Sequence, residues 1–145
     1  MGMFCDYFTA DSDEQAAAAL DGVDVDQRDV VSAEGIDPVV QLGAVEALLT
    51  GRSYDEVTAG PRSGVLIAHG GDGERIVLSV SDELCAALAQ ATDERLANVA
   101  VTWSQTEELV GEPDPEQLAE VLGELAALAQ RAASGGRRVF CRVSV

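Results

Sequence analysis

The sequence contains no lysine, and all nine of its basic residues are arginines, which face 26 aspartates and glutamates. The formal net charge is therefore −17. Nucleic-acid backbones and anionic membranes are bound by concentrated positive charge, which this composition does not supply. We therefore expect no binding to nucleic acid and no binding to a membrane surface.

Long apolar runs and secretion signals are also missing. No apolar stretch approaches the roughly 18 residues that a membrane-spanning helix requires. The first residues lack the basic and then apolar segments of a signal peptide. The three cysteines, Cys5, Cys85 and Cys141, are an odd set without close spacing, which argues against a disulfide framework. These features predict a cytoplasmic protein with reduced, buried thiols.

Aromatic residues are scarce, at 4% of the sequence, so we expect a core built from Leu, Val and Ala. Hydrophobic residues make up 47% and alternate with the acidic ones, which predicts a folded chain and no disordered tail. A chain of 145 residues fits one domain, here residues 1–145. The arginine-only, Ala-rich and Val-rich balance favours a bacterial protein from a GC-rich genome, and salt adaptation is the alternative source of the acidity.

Several segments begin with the capping residues typical of helix N-termini. The residues predicted to open helices are Ser12, Asp37, Ser53, Ser81, Thr92 and Asp114. The helix after Asp114 has the clearest apolar stripe, which includes Leu118, Leu122 and Leu125, and it ends at Gly135. We expect that stripe to pack across a sheet.

Three regions have the composition or alternation of β-strands. They are an aromatic-rich N-terminal run, two β-prone runs around the glycine-rich residues 70–73, and the alternating residues 138–145. The acidic residues 21–35 have scattered valines that are compatible with a brief strand, but a long surface loop is the preferred prediction. The pattern therefore predicts an α+β domain with a small, mainly antiparallel sheet, made of an N-terminal strand, a central hairpin and a C-terminal strand, covered by amphipathic helices.

Three segments, taken in order, resemble the YfbM-like family of small uncharacterised bacterial proteins. They are the opening residues 1–8, the central Gly35-Ile36-Asp37 with its helix to Leu49-Thr50-Gly51, and the closing helix, glycine-containing turn and strand to Val145. The central helix is longer than in that family, and Val and Ala replace its aromatic and His positions. The resemblance implies a single cytosolic α+β domain without an established activity.

His69 is the only histidine, and it precedes a glycine-rich segment similar to the oxyanion segment of some esterases. The Gly-x-Ser-x-Gly nucleophile elbow of those enzymes is not present, so a hairpin that carries a His is the preferred interpretation. A phosphate-binding loop would need a strand-to-helix setting and usually a lysine. We therefore assign no catalytic residue.

Metal and cofactor binding are not predicted either. The cysteines and His69 are scattered singly, without the close pairs of zinc sites. The acidic loop with Asp21, Asp24, Asp26 and Asp29 lacks the spacing of an EF-hand. A solvated acidic loop explains these carboxylates better.

Two further positions are candidate ligand contacts. Trp103 has helical spacing from Leu96 and Val99, which favours a place in the core, although a half-exposed ring would instead form the floor of a pocket. Arg137 and Arg138 follow the helix-ending glycines and are the one local concentration of positive charge. The simplest interpretation is that they keep the strand edge soluble, and the alternative is that they pair with an acidic neighbour or with a small anion.

These observations lead to two functional hypotheses. The first is a non-catalytic protein-binding module, in an accessory, regulatory or immunity-like role, which captures a basic partner through its negative charge. The alternative is a small-molecule-binding or hydrolytic domain with a pocket near His69 and Trp103.

Overall fold

Five antiparallel strands form one sheet in a computed structural model that describes residues 4–21, 30–34, 36, 38–106 and 114–144. The strands are β1 (Phe4–Ala10), β2 (Val30–Glu34), β3 (Leu66–Gly70), β4 (Arg75–Ser79) and β5 (Arg138–Ser144). The α-helices of the described residues are α1 (Asp13–Ala17), α2 (Val40–Thr50), α3 (Tyr54–Thr58), α4 (Asp82–Gln90), α5 (Asp93–Ser104) and α6 (Pro115–Ser134).

The strand order is β2-β1-β5-β4-β3, with the last strand at the centre of the sheet. β5 pairs with β1 on one side and with β4 on the other, and β3 and β4 form the predicted hairpin. Short 3-10 helices follow α1 and connect β3 to β4. The predicted α+β fold with its antiparallel sheet is therefore confirmed.

β2 corrects the prediction of a surface loop over residues 21–35. Residues Val30–Glu34 pair with the outer edge of β1. Val31 and Ala33 alternate into the main core, and the hydroxyl of Ser32 on the opposite face donates to Asp6 Oδ1 at 2.7 Å. β1 supplies the backbone hydrogen bonds that make this segment a strand, although its local sequence has only a weak strand pattern. Three of the aspartates in the predicted acidic loop, Asp24, Asp26 and Asp29, lie outside the described residues.

Five of the six predicted helix caps are confirmed by hydrogen bonds. In each helix the capping side chain accepts from a backbone N–H of the first turn, which would otherwise have no partner. The pairs are Ser12 with Gln15, Ser53 with Glu56, Ser81 with Leu84, Thr92 with Arg95 and Asp114 with Glu116.

α2 begins later than the sequence predicts. Its N-cap is Val39, since the backbone N–H of Gly43 donates to the carbonyl of Val39 at 3.0 Å. The valine side chain has no acceptor for a capping hydrogen bond. Asp37, the predicted cap, lies outside the described residues. The helix ends as predicted at Gly51, which adopts a left-handed conformation with φ of 73°.

The main core lies between one face of the sheet and the helices α2, α4, α5 and α6. β1 and β5 contribute Tyr7 and Cys141 to it, and α6 contributes its leucine stripe, including Leu122. The hydroxyl of Tyr7 donates to the carbonyl of Ile36 at 2.6 Å and so fixes the segment that follows β2. α6 therefore packs across the sheet as predicted.

The opposite face of the sheet is covered at one end by α1 and the 3-10 helix that follows it. Phe8 and Phe140 stack there with their ring centres 6.0 Å apart. The guanidinium of Arg62 lies 5.8 Å from the Phe140 ring centre and forms two hydrogen bonds, of 2.9 and 3.1 Å, with Asp13 on α1. The hydrogen bond and charge of Arg62 lower the pKa of Asp13. The Arg62 side chain therefore links α1 to the sheet.

Replacing Leu122 by Ala should lower the free energy of unfolding by about 2–5 kcal/mol, because the side chain is completely buried beneath α6 and its removal leaves a cavity. Urea denaturation measures the change. Gln117→Ala, at an exposed position of the same helix, should change stability by no more than about 0.5 kcal/mol. A loss for Leu122→Ala that is no larger than the loss for Gln117→Ala would show that Leu122 is not on the buried face of the helix.

Replacing Gly123 by Ala should raise the free energy of unfolding by about 0.5–1 kcal/mol, because alanine loses less backbone entropy in a helix. Apart from the neighbouring residues and the backbone of its own helix, no atom lies within 4 Å of the added Cβ. Gly43→Ala in α2 is the matched control, since its Cβ would lie 2.9 Å from Tyr54 Cε2 and displace that ring. Thermal denaturation should therefore show stabilisation at position 123 only, and equal gains at both would contradict the packing around Gly43.

Candidate functional site

His69 and Trp103, the two residues of the predicted pocket, occupy unrelated environments. His69 is exposed on β3, an edge strand of the sheet, opposite Ile76. Trp103 has no exposed surface and belongs to the main core, together with Leu96 and Val99. The ring of Trp103 therefore presents no open surface to a ligand, and the pocket hypothesis gains no support from these positions.

Arg137 and Arg138, in contrast, line a cavity of about 180 Å³ between α4, the C-terminal half of α6 and the start of β5. Its walls are mostly small and apolar. The alanines that line it are Ala86, Ala89, Ala129, Ala132 and Ala133. Val139, Cys85 and Asp82 complete the lining, so two arginines and one carboxylate are the charged groups of an otherwise apolar cavity.

The cavity results from small side chains on two facing helix surfaces. On α4, Asp82, Cys85, Ala86 and Ala89 follow the i, i+3, i+4, i+7 spacing of one helix face. On α6 the facing alanines have the same kind of spacing. α4 and α6 are neighbours in the helix layer, and because their residues on the cavity side are mostly alanines, no longer side chain fills the space.

Each arginine makes one long ion pair. Arg137 Nε lies 3.4 Å from Asp11 Oδ1, and Arg138 Nε lies 3.5 Å from Asp82 Oδ1. Both distances exceed the roughly 2.7–2.9 Å of a charge-assisted hydrogen bond. A guanidinium has five N–H donors, so the terminal nitrogens of both side chains keep donors for a further acceptor.

The thiol of Cys85, which lines the cavity, is uncharged. Burial, together with the nearby charges of Asp82 and Glu46, raises the pKa of its thiol to about 12. The thiol therefore stays protonated at neutral pH and is a poor nucleophile. Cys5 and Cys141 are buried and free, as predicted, whereas Cys85 is free but only partly buried, because it lines the cavity. Burial likewise raises the pKa of Cys141 well above its ordinary value.

The outer surface of α6 carries a row of carboxylates. Glu116, Glu120 and Glu124 follow each other at intervals of four residues and are exposed. Within the described part of the chain, no basic side chain pairs with any of them. Like charges at this spacing each cost an isolated helix about 0.2–0.5 kcal/mol. The repulsion between Glu120 and its two neighbours therefore opposes the stability of the longest described helix, whereas Glu116, in the first turn, also interacts favourably with the helix N-terminus.

Glu46 is a buried carboxyl that sequence reasoning missed. It is 2% exposed on α2, near the start of α4. Burial raises its pKa, a hydrogen bond with Ser81 acts in the opposite direction, and the charge of Glu83 raises it further. Its spacing of four residues from Leu42 places it on the apolar stripe of α2, and that spacing was the available signal.

No group of three His, Cys, Asp or Glu side chains suitable for a metal ion occurs among the residues that the structure describes. None of the helices in that part of the chain combines the length and apolar composition of a membrane span. No protein-family model, curated protein or solved structure matches the chain. The resemblance to the YfbM-like family therefore stays a prediction.

Replacing Glu46 by Gln should raise stability increasingly as the pH rises above about 4.5, the ordinary pKa of the group. A raised pKa in the folded state means that the protonated form stabilises the fold, and this contribution is lost as the pH rises through the raised pKa. Urea denaturation from pH 4 to 8 measures the difference between variant and parent. Glu124→Gln at an exposed position corrects for the lost charge, and a difference for Glu46→Gln that is independent of pH would contradict the burial.

Proposed function

We propose that this protein is a non-catalytic binding domain that captures a basic partner protein through the outer surface of α6. The observation that carries this proposal is the row Glu116, Glu120 and Glu124, which is exposed and makes no ion pair with a basic side chain in the described structure. A helix that keeps such a row despite its cost to stability has a surface suited to arginines and lysines of another protein.

The spacing of the three carboxylates indicates which arrangement of basic side chains a partner would need. The carboxylates span eight residues, about 12 Å along the helix axis. A partner with two or three basic side chains over that length, on one helix face or along one strand, would pair with all three. The net charge of −17 adds a long-range attraction that speeds association and weakens with salt.

The cellular setting is part of the same proposal. A bacterial cytoplasm suits the three free cysteines, since its reducing conditions keep thiols unpaired. The charge also argues against nucleic acid as the partner. No described observation favours the alternative of a hydrolytic pocket at His69 and Trp103.

The test compares two variants of equal net charge. The row variant carries Glu116→Gln, Glu120→Gln and Glu124→Gln, and the control carries Glu14→Gln, Asp55→Asn and Glu94→Gln, which remove three exposed carboxylates from α1, α3 and α5. Each protein is used to capture partners from native lysate, and association rates of the captured partner are measured across a salt series. We expect the row variant to lose roughly tenfold in association rate and the control to lose much less.

Two results would contradict the proposal. One is a partner that binds both variants as tightly as the parent, which would place the interface elsewhere. The other is tight, salt-sensitive binding of DNA or RNA by the purified protein, which would show that the charge argument does not hold.

A further inference from the structure

We propose that the cavity between α4, α6 and β5 is a binding site for a small carboxylic acid with a compact apolar body. This site is separate from the carboxylate row of α6, and the proposal does not depend on the proposed function. It rests on the shape of the cavity, its apolar wall and the two arginines at its mouth.

The volume limits the body of the ligand. The cavity is open to solvent, since Ala86 and Ala133 in its lining are exposed, and its volume of about 180 Å³ is similar to that of enclosed apolar cavities of about 150 Å³ that hold benzene. Alanine and valine side chains line most of it, and the thiol of Cys85 stays neutral. A single aromatic ring or a short branched alkyl chain therefore fits, whereas a nucleotide or a sugar is too large and too polar.

The charges define the head group. Arg137 and Arg138 both line the cavity, and Nε of each guanidinium makes a long contact, of 3.4 Å with Asp11 and 3.5 Å with Asp82. The planar terminal nitrogens match the two oxygens of a carboxylate. Because the net charge of −17 opposes anion binding at long range, the attraction for a carboxylate must come from direct contact with these two arginines.

Asp82 makes the site selective and testable. Its carboxylate already forms an ion pair with Arg138, so the carboxylate of a ligand competes with Asp82 for this guanidinium. Removal of that charge should therefore strengthen the binding of an acid, whereas it would weaken the binding of an amine. The sign of this single effect separates an anion site from a cation site.

The experiment uses three probes with the same ring: benzoate, benzamide and benzylamine. Binding to the full chain is followed by NMR of alanine methyl groups. We expect benzoate to shift the methyl groups of the cavity alanines and to saturate, and we expect benzamide to bind about tenfold more weakly or worse, because hydrogen bonds to a charged group contribute about that factor. Benzylamine should not bind.

Four variants locate the site. Ala86→Leu, at an exposed helix position on the cavity wall, should abolish benzoate binding by filling the space while the protein stays folded. Arg137→Gln with Arg138→Gln should weaken binding about tenfold or more. Asp82→Asn should strengthen it. The matched control, Arg52→Gln with Arg75→Gln, removes two arginines that do not line the cavity and should leave the affinity close to that of the parent.

Several results would overturn the proposal. Equal binding of benzoate and benzamide would show that the arginines do not hold a carboxylate. Equal losses of benzoate affinity in the Arg137–Arg138 variant and in its control would show that only the net charge of the protein matters. Benzoate binding that survives Ala86→Leu, or shifts that avoid the cavity alanines, would place the ligand elsewhere. Melting temperatures of all variants establish that each loss occurs in a folded protein.

Discussion

The pairing of β5 with β1 is the constraint on which the rest of the structure depends. All seven residues of β1 lie opposite residues of β5, and β5 alone joins β1 and β2 to the β3–β4 hairpin. Both faces of the sheet are organised around this pair. Tyr7 and Cys141 face the main core, and Phe8 and Phe140 stack beneath α1. Because the two strands are far apart in sequence, their pairing requires closure of a long loop and fixes the positions of the helices between them.

The same strand also positions the cavity. α6 crosses the sheet, ends at Gly135, and turns through Gly136, which has φ of 67°, directly into β5. Arg137, Arg138 and Val139 are therefore held where the helix layer meets the sheet. α4 lies beside α6 and turns its Cys85 and alanine face toward the cavity. The location of the arginines thus follows from the strand pairing and from the small residues of two helices together.

Arginine has distinct roles in the fold and at the candidate sites. Arg62 pairs with Asp13 over the Phe140 ring, and Arg142 lies 3.5 Å from Asp6 on the same face of the sheet. These partly buried pairs fasten the second face of the sheet. Arg137 and Arg138 make long ion pairs at the cavity, and the carboxylates along α6 form no ion pair within the described residues. The charged groups that hold the fold are therefore different from those on which the two proposals rest.

The sequence by itself determined the features that depend on neighbouring residues. Five helix caps, the leucine stripe of α6, the β3–β4 hairpin and the alternation of β5 were all predictable, because a cap or an amphipathic stripe is set within a few residues. The tertiary structure decided the rest. β2 forms because β1 offers it a free edge, Glu46 is buried because α4 covers its side of α2, and the cavity at Arg137 and Arg138 exists because alanines on two separate helices face each other. Each of these depends on contacts between segments distant in sequence, which no local pattern encodes.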